Sequence, residues 1–274
     1  MTSKLVSTIF FVFIIPVITF GQLREGKVVS SQNDQGIGFV NIGVVGKNIG
    51  TVSDQNGNFR IVIDSIYIND SIRFSAIGYE PQTFPVRRLN DLPDKTLYLN
   101  PLEFYLSEIK VVYSKPREIR LGYPVISDAL RSGFSDNDLG SELGVIIDTK
   151  KQVRLKDLNL NVGICTYDSV SYRVNIYEVV NQTDFKNILA KPIYISFSKE
   201  KIGEALTFDL WENEIIVEGN ILVTLELFKN LGEGRLLFKT EFFTGYTYHR
   251  KTSQSSWTKS SGAVGLYLTG RVIK

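Results

Sequence analysis

Residues 48–64 read NIGTVSDQNGNFRIVID, and this stretch decides the fold class. Asn56-Gly57 is a strong turn signal, because both turn positions accept positive φ. Behind it, Phe59, Ile61 and Ile63 alternate with Arg60 and Val62. That period of two belongs to a strand with one buried face. The expectation is a tight hairpin joining Gly50–Ser53 to Phe59–Ile63. Asp54, Asn56 and Asn58 also alternate as in a calcium loop. However, Phe59 stands where such a loop continues with glycine, and no glutamate closes it, so no metal is expected.

The same rhythm extends in both directions. Strand-like runs recur at Lys27–Ser30, Phe39–Val45, Ser71–Ala76, Thr83–Val86, Thr96–Leu99 and Glu108–Val112. With the runs beside Asn56-Gly57 they amount to a sandwich of seven or eight strands. Tyr113–Gly140 breaks the pattern with Pro116, Pro124, a charged cluster and the polar run Ser132–Asp138. It reads as a connection. From Ser141 the strands return and lengthen, as in Ser169–Val179, Ile221–Phe228, Leu236–Phe243 and Ala263–Val272. The expected class is all-β, an N-terminal sandwich followed by a jelly-roll-like β-sandwich.

The N-terminus reads as a secretory signal. Lys4 supplies the positive charge, Ile9–Phe20 the apolar run, and Thr19 and Gly21 the small residues before a cleavage at Gln22. No later segment approaches the roughly 20 apolar residues that span a bilayer. The expected organisation is a signal peptide at 1–21, a sandwich at 22–113, a linker at 114–140 and a second sandwich at 141–274. The mature chain is expected to be exported, periplasmic or outer-membrane associated, without a membrane span.

Composition excludes several functions. The 274 residues carry 31 basic and 29 acidic side chains, a net charge of +2. Nucleic-acid binding needs a concentrated basic surface, and this balance argues against it. There is one histidine, His249, and one cysteine, Cys165. A metal site of several His or Cys and an internal disulfide are therefore impossible within one chain. Cys165 reads as a buried, inert thiol in a strand, and Trp211 as core. Any Ser-His-Asp triad would have to use His249, which lies in a polar aromatic stretch and reads as a surface residue. No glycine-rich phosphate loop occurs. No catalytic residue and no cofactor are expected. The candidate ligand-binding residues are Tyr246, Tyr248, His249, Arg250 and Trp257, with Lys259 beside them, in a loop between strands. Aromatic faces of this kind stack on sugar rings.

A series of motifs in the first half carries a resemblance. Gly26-Lys-Val-Val, Gly38-Phe-Val-Asn-Ile-Gly-Val and Asn48–Phe59 are followed by Phe74-Ser-Ala-Ile-Gly-Tyr79, Leu97-Tyr-Leu and Leu106–Val112. In that order they resemble the carboxypeptidase-D regulatory-like domain, a transthyretin-like β-sandwich of Bacteroidetes-type bacterial envelopes. The resemblance covers about residues 26–113. It implies an accessory domain without a zinc site. The remainder resembles only the C-terminal part of uncharacterised envelope proteins. The expected function is a non-catalytic binding or assembly module engaging another envelope protein. The alternative is a carbohydrate-binding accessory in glycan uptake, with an unrecognised hydrolase behind both.

Overall fold

The computed structural model describes residues 21–102, 117–202 and 205–273. The expected signal peptide up to Phe20 and the expected strand Glu108–Val112 lie outside the described residues. The described chain is nearly all β, its only helical pieces being short 3-10 turns.

The first unit contains β1 (Gly21–Ser30), β2 (Asn41–Val44), β3 (Gly50–Val52), β4 (Asn58–Asp64), β5 (Ser71–Ser75), β6 (Gln82–Pro85) and β7 (Thr96–Leu99). They form a three-stranded sheet, β4-β1-β7, and a four-stranded sheet, β3-β2-β5-β6. β1 is antiparallel to β4 and parallel to β7. The alternation in β4 turns Phe59, Ile61 and Ile63 inward and leaves Arg60 and Val62 in solvent. Inside, they meet Val28, Ile42, Val44, Ile72, Phe74, Leu97 and Leu99. Phe74 lies at the centre, edge-on to Phe59 at 5.4 Å and stacked on Phe84 at 5.6 Å.

The Asn56-Gly57 turn forms, but the expected hairpin does not. β3 pairs only with β2 and β4 only with β1, so the turn carries the chain from one sheet to the other. Two backbone contacts hold it there, one to β1 and one to the segment that enters β2. Val28 N–H donates to the Gly57 carbonyl at 2.9 Å, and Phe39 N–H donates to the Asp54 carbonyl at 3.2 Å. The Asp54 carboxylate accepts from the amides of Asn56 and Asn58 and from Asn58 Nδ2, at 2.8, 2.8 and 2.9 Å. Both its oxygens thus serve the turn. Pairing register is a long-range choice, which a local turn signal does not settle.

The second unit is one hydrogen-bonded network of twelve strands. They are β8 (Arg117–Gly122), β9 (Arg131–Phe134), β10 (Glu142–Leu160), β11 (Val162–Cys165), β12 (Ser169–Val179), β13 (Phe185–Asn187), β14 (Ile193–Ser198), β15 (Leu206–Asp209), β16 (Ile216–Glu226), β17 (Leu236–Arg250), β18 (Thr258–Val264) and β19 (Leu266–Val272). β10 is the spine. Its first half lies between β16 and β17, and its second half between β15 and β19. The core side of this sheet carries Leu143, Val145, Val174, Ile176, Val223 and Leu225.

The segment expected as a linker contributes strands to this unit. β8 pairs with β19 and β9 with β17. Within the charged cluster, Ile119 and Leu121 alternate with Glu118 and Arg120 and pack against the core. The charges mask a short amphipathic strand that needs β19 before it has anything to pair with. Trp211, expected in the core, is only partly buried, between the guanidinium groups of Arg154 at 3.9 Å and Arg271 at 4.9 Å. Cys165 is also partly buried, and burial pushes its thiol pKa up, as an inert thiol requires.

Gly57 has φ = +84°, and a Cβ there would strike the Val28 carbonyl oxygen. Gly57→Val is expected to destabilise the first unit by about 1–2 kcal/mol from backbone strain, with the collision adding to it. Urea unfolding checks this. Asn56→Asp, at an exposed position, is expected to stay within roughly 0.5 kcal/mol of the unaltered protein.

Candidate functional site

The face of the large sheet opposite its core would ordinarily meet water. Here it carries a row of charges. Register places Arg250 on β17 opposite Glu142 on β10, Glu142 opposite Glu226 on β16, and Glu226 opposite Arg173 on β12. Four adjacent strands thus present the order plus, minus, minus, plus. The Arg173 and Glu226 side chains are 3% and 0% exposed, and those of Arg250 and Glu142 are 9% and 0%. Isolated ions at this depth are very costly, so the balance of two against two is a condition for the row to exist.

The geometry meets that condition. Arg173 grips Glu226 with both prongs, Nε to Oε2 at 3.0 Å and Nη2 to Oε1 at 2.7 Å. Arg250 Nη2 lies 2.6 Å from Glu142 Oε2. Between the two carboxylates, Asn175 Nδ2 donates to Glu142 Oε1 at 2.9 Å and to Glu226 Oε2 at 2.6 Å. Tyr177 Oη at 2.8 Å and the Thr224 hydroxyl also donate to Glu142 Oε1. These neutral donors lie one and two cross-strand pairs further along the same face. They separate two like charges that would otherwise repel.

The two acids respond differently. Burial, with the neighbouring Glu226 charge, raises the Glu142 pKa against the pull of Arg250. Burial also opposes ionisation of Glu226, but the charge and two hydrogen bonds of Arg173 outweigh it and bring the pKa below the ordinary value.

The row is buried because the first unit sits on it. Arg173 Nη1 donates to the Phe39 carbonyl at 2.6 Å, crossing from one unit to the other. Phe39 has φ = +58°, and its ring is 4.7 Å from that of Phe228 and 5.7 Å from that of Tyr194. The turn after β17 makes a second crossing. Ser253 Oγ donates to Asn41 Oδ1 at 3.0 Å, Gln254 Nε2 to Ser75 Oγ at 2.8 Å, and Gly46 N–H to the Gln254 carbonyl at 2.9 Å. Gly43 and Gly50 admit this turn, since a Cβ at either would collide with the Ser253 carbonyl oxygen.

The residues expected to bind a ligand lie in paired strands or beside them, rather than in a loop. Tyr246, Tyr248, His249 and Arg250 belong to β17, and Trp257 immediately precedes β18. Tyr248, Arg250 and Trp257 come together with Phe185 and Tyr177. Trp257 is 5.4 Å from the Phe185 ring, 6.0 Å from that of Tyr177 and 5.0 Å from the Arg250 guanidinium. Tyr248 meets Phe185 edge-on at 5.9 Å. Tyr246 remains half exposed with Lys259 Nζ 4.7 Å from its ring centre. His249 points to the opposite face and contacts the Thr258 hydroxyl. Burial lowers its pKa, which favours the neutral ring. His249 and Lys251 line a cleft of about 310 Å³ with Asp136, Asp138 and Ser260.

The buried row is the feature that residue-by-residue reading missed. Its signal was a charged or polar residue at alternate positions in otherwise apolar strands: Arg173 and Asn175 in β12, Thr224 and Glu226 in β16. A larger groove, about 1020 Å³, opens where the units meet. Lys27, Asp54 and Arg60 line it from the first unit, and Phe228, Lys229 and Asn230 from the second. No group of three or more His, Cys, Asp or Glu suited to a metal occurs among the described residues.

Fold and junction define an all-β protein in which a small N-terminal sandwich is clamped onto the outer face of a larger sheet. Residues 24–111 match the CarboxypepD_reg-like domain family, so the N-terminal unit is a CarboxypepD_reg-like domain. No curated protein matches the chain. Among solved structures, the infectious bursal disease virus VP2 subviral particle aligns at 10% identity over 93% of this chain and 66% of that one, with a TM-score of 0.21. The Gt strain of the same virus aligns at 11% identity over 93% and 67%, with a TM-score of 0.16. This chain spans about two thirds of the length of those viral chains, and similarity at that level does not define its fold.

Breaking the bidentate pair is expected to do the most damage. Glu226→Gln should cost about 3–5 kcal/mol, because Arg173 stays buried without its counter-charge. Glu142→Gln should cost less, since an amide oxygen still accepts from Asn175, Tyr177 and Thr224, and Arg250 keeps the Trp257 face and the Glu226 charge. The pH dependences should also differ. The stability tied to the raised Glu142 pKa is present below the unfolded-state value and is lost as pH rises through the folded one. That tied to the lowered Glu226 pKa is present above the unfolded-state value and is lost as pH falls through the folded one. Between about pH 4 and pH 7 the deficit of Glu142→Gln should shrink and that of Glu226→Gln should grow. Urea melts across that range measure both.

Proposed function

We propose that this protein is an exported, non-catalytic binding or assembly module of a bacterial envelope, and that it engages another envelope protein. The groove between the two units carries this reading. It is about 1020 Å³ and open, with aromatic carbon from Phe39 and Phe228 and charges of both signs from Lys27, Asp54, Arg60 and Lys229. Mixed charge around an apolar strip suits a polypeptide, whereas nucleic acid calls for basic residues alone. The buried row supports it by holding the two walls in one geometry, which reduces the ordering cost of binding.

Export is supported by the Met1–Gly21 pattern. Non-catalytic action is supported by the use of the buried acids, which serve to fasten the units, and by the accessory character of the matched N-terminal family. A glycan ligand draws less support. Trp257 and Tyr248 contact protein neighbours edge-on, leaving Tyr246 as the more open ring of the cluster.

Arg60→Glu with Lys229→Glu reverses two exposed charges on facing walls of the groove. Chemical cross-linking in the native envelope should join the unaltered chain to a defined protein, and the double variant should reduce that adduct tenfold or more while melting at the same temperature. An undiminished adduct would exclude the groove. Soluble glycan that raises the melting temperature without any adduct would favour the carbohydrate reading.

A further inference from the structure

The β17–β18 ladder breaks in its middle. Glu241 pairs with Ala263, and the next pair is Tyr246 with Gly262, so Phe242–Gly245 stand out from the sheet without partners in β18. The Thr244 hydroxyl donates to the Glu241 carbonyl at 3.2 Å and closes the base of this bulge, while Tyr123 lies against Gly245. Phe243 is fully exposed at 102% and Phe242 is 45% exposed, with their rings 6.0 Å apart. Phe243 has φ = +67°, where a bulky side chain is a genuine outlier. The backbone is strained to hold an aromatic ring out in water, where it contributes nothing to the core. Strain of this kind points to a role outside the fold.

Basic and amphipathic side chains flank the bulge along the strands on both sides. The two phenylalanines form the tip. Behind them Tyr246 is 49% exposed, with Lys259 Nζ 4.7 Å from its ring. On the other side Lys239 Nζ reaches back to the Ile126 carbonyl at 3.5 Å, and the Ile126 side chain is 83% exposed. The acids nearby are Glu241 and Asp128; Asp128 is paired with Arg131 and also feels the Lys239 charge. A bilayer interface accepts the same set of groups, apolar rings in the hydrocarbon and tyrosine rings and lysine amines in the layer above it. Lipid also accepts a projecting side chain without a matching pocket.

We propose that the Phe242–Gly245 bulge attaches the protein reversibly to the surface of a lipid bilayer. Phe242 and Phe243 enter the acyl boundary, and Lys239 and Lys259 meet anionic headgroups. This is peripheral attachment by two side chains, distinct from a membrane span. No helix among the described residues is long and apolar enough to cross a membrane.

Flotation with phosphatidylcholine vesicles, with and without phosphatidylglycerol, tests this on the full chain. Every variant retains Met1–Gly21, so any lipid affinity of that segment is common to all. The unaltered chain should float with phosphatidylglycerol vesicles, and Phe243→Asp should reduce binding tenfold or more without lowering the melting temperature. Lys239→Glu with Lys259→Glu should weaken binding to anionic vesicles severalfold and leave binding to neutral ones unchanged. Phe243→Trp should keep binding and add emission, beyond that of Trp211 and Trp257, that is quenched by bromine-labelled acyl chains. Equal flotation of Phe243→Asp, undiminished binding of the double-lysine variant to anionic vesicles, or emission from the introduced indole that brominated lipid leaves unquenched would overturn the proposal. So would Phe243-dependent capture of an envelope protein without vesicle binding, which would make the bulge a protein anchor. The groove variant Arg60→Glu with Lys229→Glu should float normally, so failure of either reading leaves the other standing.

Discussion

A sheet face that is to be buried twice, once by its own core and once by another unit, cannot carry free charge on the second side. The Arg250–Glu142–Glu226–Arg173 row satisfies that constraint by neutralising itself across four strands. Its specificity lies in direction. Arg173 uses two nitrogens on Glu226 and a third on the Phe39 carbonyl, so one guanidinium reads both the register of the sheet and the position of the neighbouring unit. Apolar contacts such as Phe39 against Phe228 add area but tolerate sliding. The ionic row does not, because a slip of one residue on any strand would bury an unpaired charge.

The same row accounts for what the first unit looks like where it docks. Asn41, Gly43 and Gly50 lie in or beside two short strands, with little bulk on the docking side, and the Thr252–Ser256 turn enters there through backbone and hydroxyl contacts. The acids of the junction are thereby engaged by Arg173, Arg250 and Asn175. The surfaces left open are at the margins: the groove between the units, the polar cleft beside His249, and the aromatic bulge in β17.

Much of the fold was legible from alternation alone. Phe59, Ile61 and Ile63, the long pattern in Ser169–Val179 and the return of strands after Ser141 all follow from one face needing cover. The tight turn at Asn56-Gly57 was legible too, because the φ requirement is local. Its partner strands were not, since nothing in Gly50–Ser53 says which sheet it joins. Residues 117–122 and 131–134 were obscured for a related reason. Short strands rich in charge resemble connections until the β19 and β17 edges that pair with them are in place. The aromatic cluster was visible as composition. Alternation along β17 then divided it between two faces, with Tyr248 and Arg250 on one and His249 on the other.

The ordered motif series carried the resemblance of the N-terminal half to a CarboxypepD_reg-like domain. By composition and alternation the sequence determined the all-β class, the lack of a second histidine or cysteine, and a near-neutral charge. Those properties are counts or short-range periodicities, and they hold in any compact arrangement of the chain. Only the tertiary structure decided that four charged residues spread from Glu142 to Arg250 form one line, that Phe39 meets Arg173, and that Phe242 and Phe243 point into solvent. Each depends on which strands are neighbours and in what register. That information resides in hydrogen-bonded pairing between distant segments, and burial of a charge is possible only after its partner has arrived.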